Sequence, residues 1–224
     1  NSGGRRLHPH RQLLTGRIFV KKTWAIVAGG KFSPLRDIEK CEYIIACDLG
    51  YEYLHREELR PDLLVGDFDS YMGPLPEGVP RLDLPVEKDD TDTMAAIRHA
   101  AAQEACREIW LYCALGGRLD HLLGNLQAAA FAVRRGIPVR SVDEENEILV
   151  FSGGSVTVPE RAGYSLSVLA LSDRCTGVSI RGTKYELEDV TVENSFPIGV
   201  SNQWRGTAEI TVEQGVLAVI ESKM

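Results

Sequence analysis

Gly66-Asp67-Phe68-Asp69-Ser70, Lys88-Asp89-Asp90-Thr91-Asp92 and Gly116-Gly117-Arg118-Leu119-Asp120-His121 follow one another within residues 66–121 of a 224-residue chain. Each acidic cluster stands where an apolar, strand-like run gives way to a turn or to the start of a helical pattern. In an open α/β sheet those exits lie at the carboxyl ends of strands, where ligands bind. Six carboxylates gathered at one edge, those of Asp67, Asp69, Asp89, Asp90, Asp92 and Asp120, repel one another and raise each other's pKa. A cation has to offset that repulsion. Oxygen ligands with no cysteine and no adjacent histidine partner favour Mg²⁺, which is usually held by one or two carboxylates plus substrate phosphates. The pattern therefore points to a magnesium-dependent enzyme acting on a polyphosphate.

Upstream, Trp24-Ala25-Ile26-Val27-Ala28 reads as a buried strand that ends in Gly29-Gly30, a turn whose backbone can approach a phosphate. Tyr43-Ile44-Ile45-Ala46-Cys47 repeats the pattern and ends in Asp48-Leu49-Gly50, after which helical spacing runs to Leu59 and stops before Pro61. Leu63-Leu64-Val65 delivers the first acidic cluster, with Asp67 and Asp69 on the same side of an extended strand end. Residues 71–85 are rich in Pro and Gly and read as a loop. Asp90 or Thr91 is the expected N-cap of an Ala-rich helix over residues 93–106. The N-terminus of that helix is itself an anion site. A strand over 109–115 leads to Gly116-Gly117-Arg118, and Asp120-His121 opens a helix with an apolar stripe of Leu122, Leu123, Leu126, Ala129, Ala130 and Val133. A further strand spans 137–142.

Strands alternating with helices imply βαβ units, so residues 23–146 read as an open, mostly parallel, Rossmann-like α/β domain. From about Glu147 the helical period disappears, and short alternating runs make residues 147–224 a small antiparallel β-sandwich domain. Residues 1–22 are a basic extension, expected to be poorly ordered, with Arg5, Arg6 and Arg11 close together and no apolar core of a secretory signal.

A net charge of −7 argues against nucleic acid and against an anionic membrane as partners, and no run approaches the roughly 18 apolar residues of a membrane span. It also bears on polyphosphate binding. A like-charged pair about 4 Å apart costs roughly 4 kcal/mol at an effective dielectric of 20, so without a divalent cation a triphosphate is rejected. The five cysteines form no CxxC pair, which suits a reduced, cytoplasmic thiol set.

The three clusters in this order, followed by a small β domain, resemble thiamine pyrophosphokinases from about residue 24 to residue 224. In the second half Gly182-Thr183-Lys184-Tyr185 resembles the family segment that carries a substrate-stacking aromatic, and Ser201-Asn202 resembles its Ser-Asn pair near the pyrimidine. Where the family usually has Asp-Gly-Gly, Asp48-Leu49-Gly50 keeps the Asp and one Gly.

The resemblance implies transfer of a pyrophosphoryl group from ATP to the hydroxyl of thiamine, with release of AMP. It also implies a homodimer whose site lies between the α/β domain of one subunit and the β domain of the other. Asp67, Asp69 and Asp92 would hold Mg²⁺, and Asp92 or Asp120 would take the alcohol proton. Gly29, Gly30, Asp48, Asp89, Thr91, Arg118 and His121 would face the nucleotide and its phosphates, Arg118 as a clamp and His121 in support of Asp120. Tyr185, Ser201 and Asn202 would face thiamine, with Trp204 as a second aromatic candidate. Two rival readings are a pyrophosphokinase for a hydroxymethylpterin on a similar core and a non-catalytic sensor of thiamine or nucleotide.

Overall fold

The computed structural model describes residues 22–69, 71–82 and 90–224. The basic extension up to residue 21, Ser70 and Asp89 lie outside the described residues.

Strand β1 (Lys22–Val27) is buried along nearly its whole length, which is the pattern of a strand covered on both faces. It pairs in parallel with β2 (Tyr43–Cys47) on one side and with β5 (Cys106–Tyr112) on the other. Beyond β2 come β3 (Leu63–Val65) and a short edge strand β4 (Arg81–Leu82), both parallel. Beyond β5 comes β6 (Val139–Val142), also parallel. The sheet then changes direction without breaking: β7 (Asn146–Phe151), β13 (Leu217–Lys223) and β9 (Tyr164–Ala170) add antiparallel strands, giving the order β4-β3-β2-β1-β5-β6-β7-β13-β9. A separate antiparallel sheet holds β11 (Leu187–Glu193), β10 (Arg174–Thr183), β12 (Trp204–Val212) and β8 (Gly154–Val158) in that order. The fold is therefore α/β with a mixed sheet and a second, sandwich-like sheet.

Helices α2 (Asp92–Ala101) and α3 (Leu119–Val133) cover one face of the mixed sheet, packing Ala96, Ile97, Ala129 and Val133 onto Ile26, Ile109 and Leu111. Helix α1 (Gly50–Arg56) covers the opposite face with Tyr51, Tyr53 and Leu54 against Val27 and Tyr112. The third core lies between the antiparallel strands and the second sheet, where Leu166, Val168 and Leu217 meet Val178, Ile180 and Ile210.

Several elements depart from the sequence pattern. Helix α2 ends at Ala101 rather than at 106, because Gln103 and Cys106 turn the chain through hydrogen bonds to Ala100 O and Gln103 O. Strand β5 consequently starts and stops three residues before the expected run of 109–115. Residues 81 and 82, expected in a loop, pair with β3.

A row of half-buried charges crosses the sheet where its direction changes. Arg140 on β6 lies 3.5 Å from Glu108 on β5 and pairs closely with Glu147 on β7. Arg161 lies 3.5 Å from Glu147 and 3.9 Å from Glu221 on β13, with its guanidinium 3.7 Å from the centre of the Tyr164 ring. Burial, and then the Glu147 charge, push the Glu221 carboxyl above its usual value despite Arg161.

A carboxyl raised in the folded state binds its proton more tightly there than in the unfolded chain. Its ionisation therefore opposes folding above the raised value, and this cost disappears as the pH falls toward 4.5. We expect Glu221→Gln to melt at an equal or higher temperature than the parent at pH 8, with the difference shrinking toward pH 5. Thermal melts at the two pH values check this, and a lower melting temperature at pH 8 would contradict it.

Candidate active site

The carboxyl ends of β1, β2, β3 and β5 form one rim of the mixed sheet, the position where open α/β sheets bind ligands. At the end of β2, Asp48 takes a left-handed backbone (φ 48°), and its N–H donates to Val65 O at 3.1 Å. Gly50, two residues on, passes so close to β1 that a Cβ there would lie 2.1 Å from Val27 O, so only glycine fits at the start of α1.

At the end of β3 the chain does not continue as an extended strand. Phe68 adopts φ 59° and buries its ring in the core beneath α1, while Asp69 N donates to Asp67 Oδ1 at 3.2 Å. Asp67 and Asp69 share a side because the residue between them is anchored inward, not because of strand alternation. Arg81 braces this turn, with its guanidinium 5.1 Å from the Phe68 ring centre and a hydrogen bond to Asp67 O at 3.2 Å.

Carboxylate oxygens of Asp48, Asp67 and Asp69 all lie within 4.8 Å of one another. Oxygens on opposite sides of an octahedral Mg²⁺ are about 4 Å apart, so a small contraction brings this all-oxygen set into range of a hard cation. The family resemblance implies Asp92 in that set and Asp48 at the nucleotide; the structure brings Asp48 to Asp67 and Asp69. Asp92 stands beside them as the first residue of α2, its Oδ2 within 3.2 Å of where a Cβ on Gly66 would sit. Thr91 caps α2 by accepting from Met94 N at 3.1 Å.

A cleft of about 230 Å³ lies against this rim, lined by Gly29, Gly30, Asp48, Thr91, Asp92 and His121, and also by Asn125 and Cys113. It is smaller than the roughly 300–1,000 Å³ of ordinary small-molecule pockets, so it suits the phosphate end of a ligand. Asn125 escaped the sequence reading although it sits one turn after His121 on α3, a spacing that puts both on one helix face. Burial pushes the Cys113 thiol up to about 11, which keeps it protonated and unreactive beside the cleft.

Arg118 and Asp120 lie outside the lining of the cleft. They grip each other through two hydrogen bonds of 3.1 and 2.6 Å on the exposed start of α3. The Arg118 guanidinium, with help from His121 N–H, holds the Asp120 carboxyl below its usual range and makes it a weaker base. Asp90 pairs instead with Arg98 at 2.6 Å.

The candidates in the second half do not reach the cleft, whose lining among the described residues spans residues 29–125. Tyr185 stands out from the turn between β10 and β11, 60% exposed, with Lys184 Nζ 5.2 Å from its ring centre. Asn202 is buried, and its amide is committed to the protein. It donates to Thr183 Oγ1 and Tyr185 O and accepts from Tyr185 N and Gln203 N, at 2.7–3.2 Å. It shapes the Tyr185 turn. Ser201 is exposed with φ 60°, its N–H held by Ser167 Oγ at 3.0 Å. Trp204 is a core residue whose Nε1 donates to Val158 O at 3.2 Å.

Two family models match the sequence: the thiamin pyrophosphokinase catalytic domain over residues 36–140 and the thiamin pyrophosphokinase vitamin B1 binding domain over residues 155–217. The chain belongs to the thiamin pyrophosphokinase family. Thiamine pyrophosphokinase of Bacillus subtilis is 29% identical over 90% of this chain and 99% of its own length. The crystal structure of the Bacillus subtilis enzyme superposes with a TM-score of 0.80, covering 91% of this chain and all of that one at 25% identity. Thiamin pyrophosphokinase of Geobacillus thermodenitrificans gives a TM-score of 0.75 at 28% identity, over 90% and 98% of the two chains. The match of both family domains thus spans the acidic rim and the Tyr185–Asn202 region together.

Two outcomes are expected. Asp48→Asn should raise the half-saturating divalent-cation concentration about tenfold, equivalent to about 1.4 kcal/mol, in a cation titration of activity. Asn202→Ala should cost about 2–4 kcal/mol in denaturant unfolding, because it strands buried partners in the Tyr185 turn.

Proposed function

We propose that this chain transfers a pyrophosphoryl group from ATP to the hydroxyl of thiamine in a Mg²⁺-dependent reaction, giving thiamine pyrophosphate and AMP. Family membership supplies the reaction class. The observation that carries the mechanism is the set of three carboxylates at the sheet rim beside a phosphate-sized cleft. Their all-oxygen donors favour a hard cation, and when bound that cation neutralises charge on the transferred group.

Asp48, Asp67 and Asp69 hold the cation in this reading. The N-terminus of α2, with Thr91 as its cap, and the Gly29-Gly30 turn receive the phosphates. The thiamine oxygen forms a bond to the β-phosphorus, the bond from that phosphorus to the α-phosphate oxygen breaks, and AMP departs. Asp92 takes the hydroxyl proton, since it lines the cleft and Asp120 does not. Arg118 serves as a phosphate clamp once it exchanges Asp120 for the nucleotide. Most of the rate comes from positioning and electrostatics, as in phosphoryl transfer generally.

Thiamine is a cation, and the exposed Tyr185 ring, already faced by the Lys184 ammonium, is the surface for it. The family resemblance implies a homodimer in which the β half of a second copy supplies the acceptor pocket, a reading in keeping with a cleft lined by residues of the α/β half. Exposed Phe196, Ile198 and Val200 beside this region suit such a contact. Five free, buried cysteines fit a reducing compartment such as the cytoplasm. No helix among the described residues is long and apolar enough to cross a membrane.

The test is AMP release from Mg-ATP with and without thiamine. Thiamine-dependent AMP, lost in Asp69→Asn, is the expected result; ADP, or AMP independent of thiamine, would overturn the reading. Tyr185→Ala should raise the KM for thiamine about 2–30-fold, the worth of a 0.5–2 kcal/mol cation–π contact, with the KM for ATP unchanged.

A further inference from the structure

The two loops that bound the cleft, at the exits of β1 and β5, are each gripped by one side chain from a flanking helix. On one face of the sheet Tyr53 of α1, a buried residue, donates its hydroxyl proton to Gly30 O at 2.6 Å. On the other face Asn125 of α3 donates through Nδ2 to Ala114 O at 2.9 Å. Because a carbonyl can only accept, this bond fixes the amide orientation and leaves Oδ1 as the remaining acceptor of a side chain that lines the cleft. Between the two grips the loops touch directly: Gly30 N donates to Cys113 O at 3.1 Å, and a Cβ on Gly30 would lie 2.4 Å from that same oxygen.

We infer that Tyr53 and Asn125 are positioning residues that clamp the β1 and β5 exit loops from opposite faces and so set the shape of the phosphate-receiving cleft. This rests on the functional reading above. The Tyr53 hydroxyl does not line the cleft and acts through Gly30. Burial raises its phenol pKa, so it remains a donor at any working pH. The Gly30–Cys113 contact makes the two loops one body, so loosening either grip loosens both, and the two substitutions are expected to be non-additive. Thiamine brings only its hydroxyl to this cleft and meets Tyr185 with its ring in the other half, so the clamp bears on its affinity far less than on that of the nucleotide.

The test measures binding rather than turnover, so it does not stand or fall with the proposed reaction. Calorimetry with Mg²⁺ and α,β-methylene-ATP, whose α–β bridge cannot be cleaved, is run on the parent, Tyr53→Phe, Asn125→Ala and the double variant. Each single variant should bind about fivefold more weakly, the worth of one hydrogen bond near 1 kcal/mol, and the double variant by less than the product of the two. Thiamine affinity should stay within twofold, and Tyr53→Phe should melt within a few degrees of the parent. Unchanged analogue affinity in Tyr53→Phe would overturn the inference. So would equal weakening of thiamine and analogue, or multiplicative effects in the double variant. If the parent binds the analogue and shows the clamp pattern yet releases no AMP with thiamine, the clamp stands and the reaction assignment falls.

Discussion

The hydrogen-bond ladder between β2 and β3 is what holds the acidic rim together. Cys47 faces Val65 across that ladder, so the residues that follow leave the sheet side by side. Neighbouring strands are about 4.8 Å apart, and the carboxylates of Asp48, Asp67 and Asp69 lie within a similar distance. Free in water, three carboxylates would drift apart; here backbone pairing and two left-handed residues, Asp48 and Phe68, hold them against their repulsion. The spacing of charge is thus inherited from the spacing of the backbone. Part of the fold's stability goes into holding three like charges at one edge of the sheet.

The second half uses the opposite strategy. Around Tyr185 the positioning is done by neutral groups, chiefly the buried Asn202 amide, whose donors and acceptors are used by the turn it supports. This leaves the Tyr185 ring exposed, with the Lys184 ammonium beside it. An acidic rim that attracts cations and an aromatic face that accepts them are compatible with a positively charged acceptor molecule. Neither half contains the whole arrangement.

Much of this was legible in the residues themselves. Apolar runs ending in Gly29-Gly30, Asp48 and Gly66-Asp67 located three strand exits, because burial and turn chemistry are local properties. What stayed hidden depended on partners distant in sequence. Asp48 joins Asp67 and Asp69 only through the β2–β3 pairing. Trp204 looks like a ligand-stacking ring until β8 is placed beside it and takes its indole N–H. Asn202 reads as a ligand contact until the turn it supports is seen. Asp67 and Asp69 lie together as their spacing suggests, but the left-handed Phe68 between them, not strand alternation, is the cause. The mixed character of the large sheet was equally invisible, because alternation within β7, β9 and β13 does not say which sheet a strand joins.

Strand β13 carries a consequence for how the chain matures. It lies between β7 and β9, although about 45 residues or more separate it from either along the chain. A ribosome delivers the parallel strands and their helices first, and these can pack around β1 while the remainder is still being made. Strand β9, however, has no place in the large sheet until β13 emerges to bridge it to β7. The second sheet, which packs against those strands, has to wait for the same event. A nascent chain stopped just short of residue 217 would therefore carry a formed acidic rim and an unanchored β half with exposed strand edges.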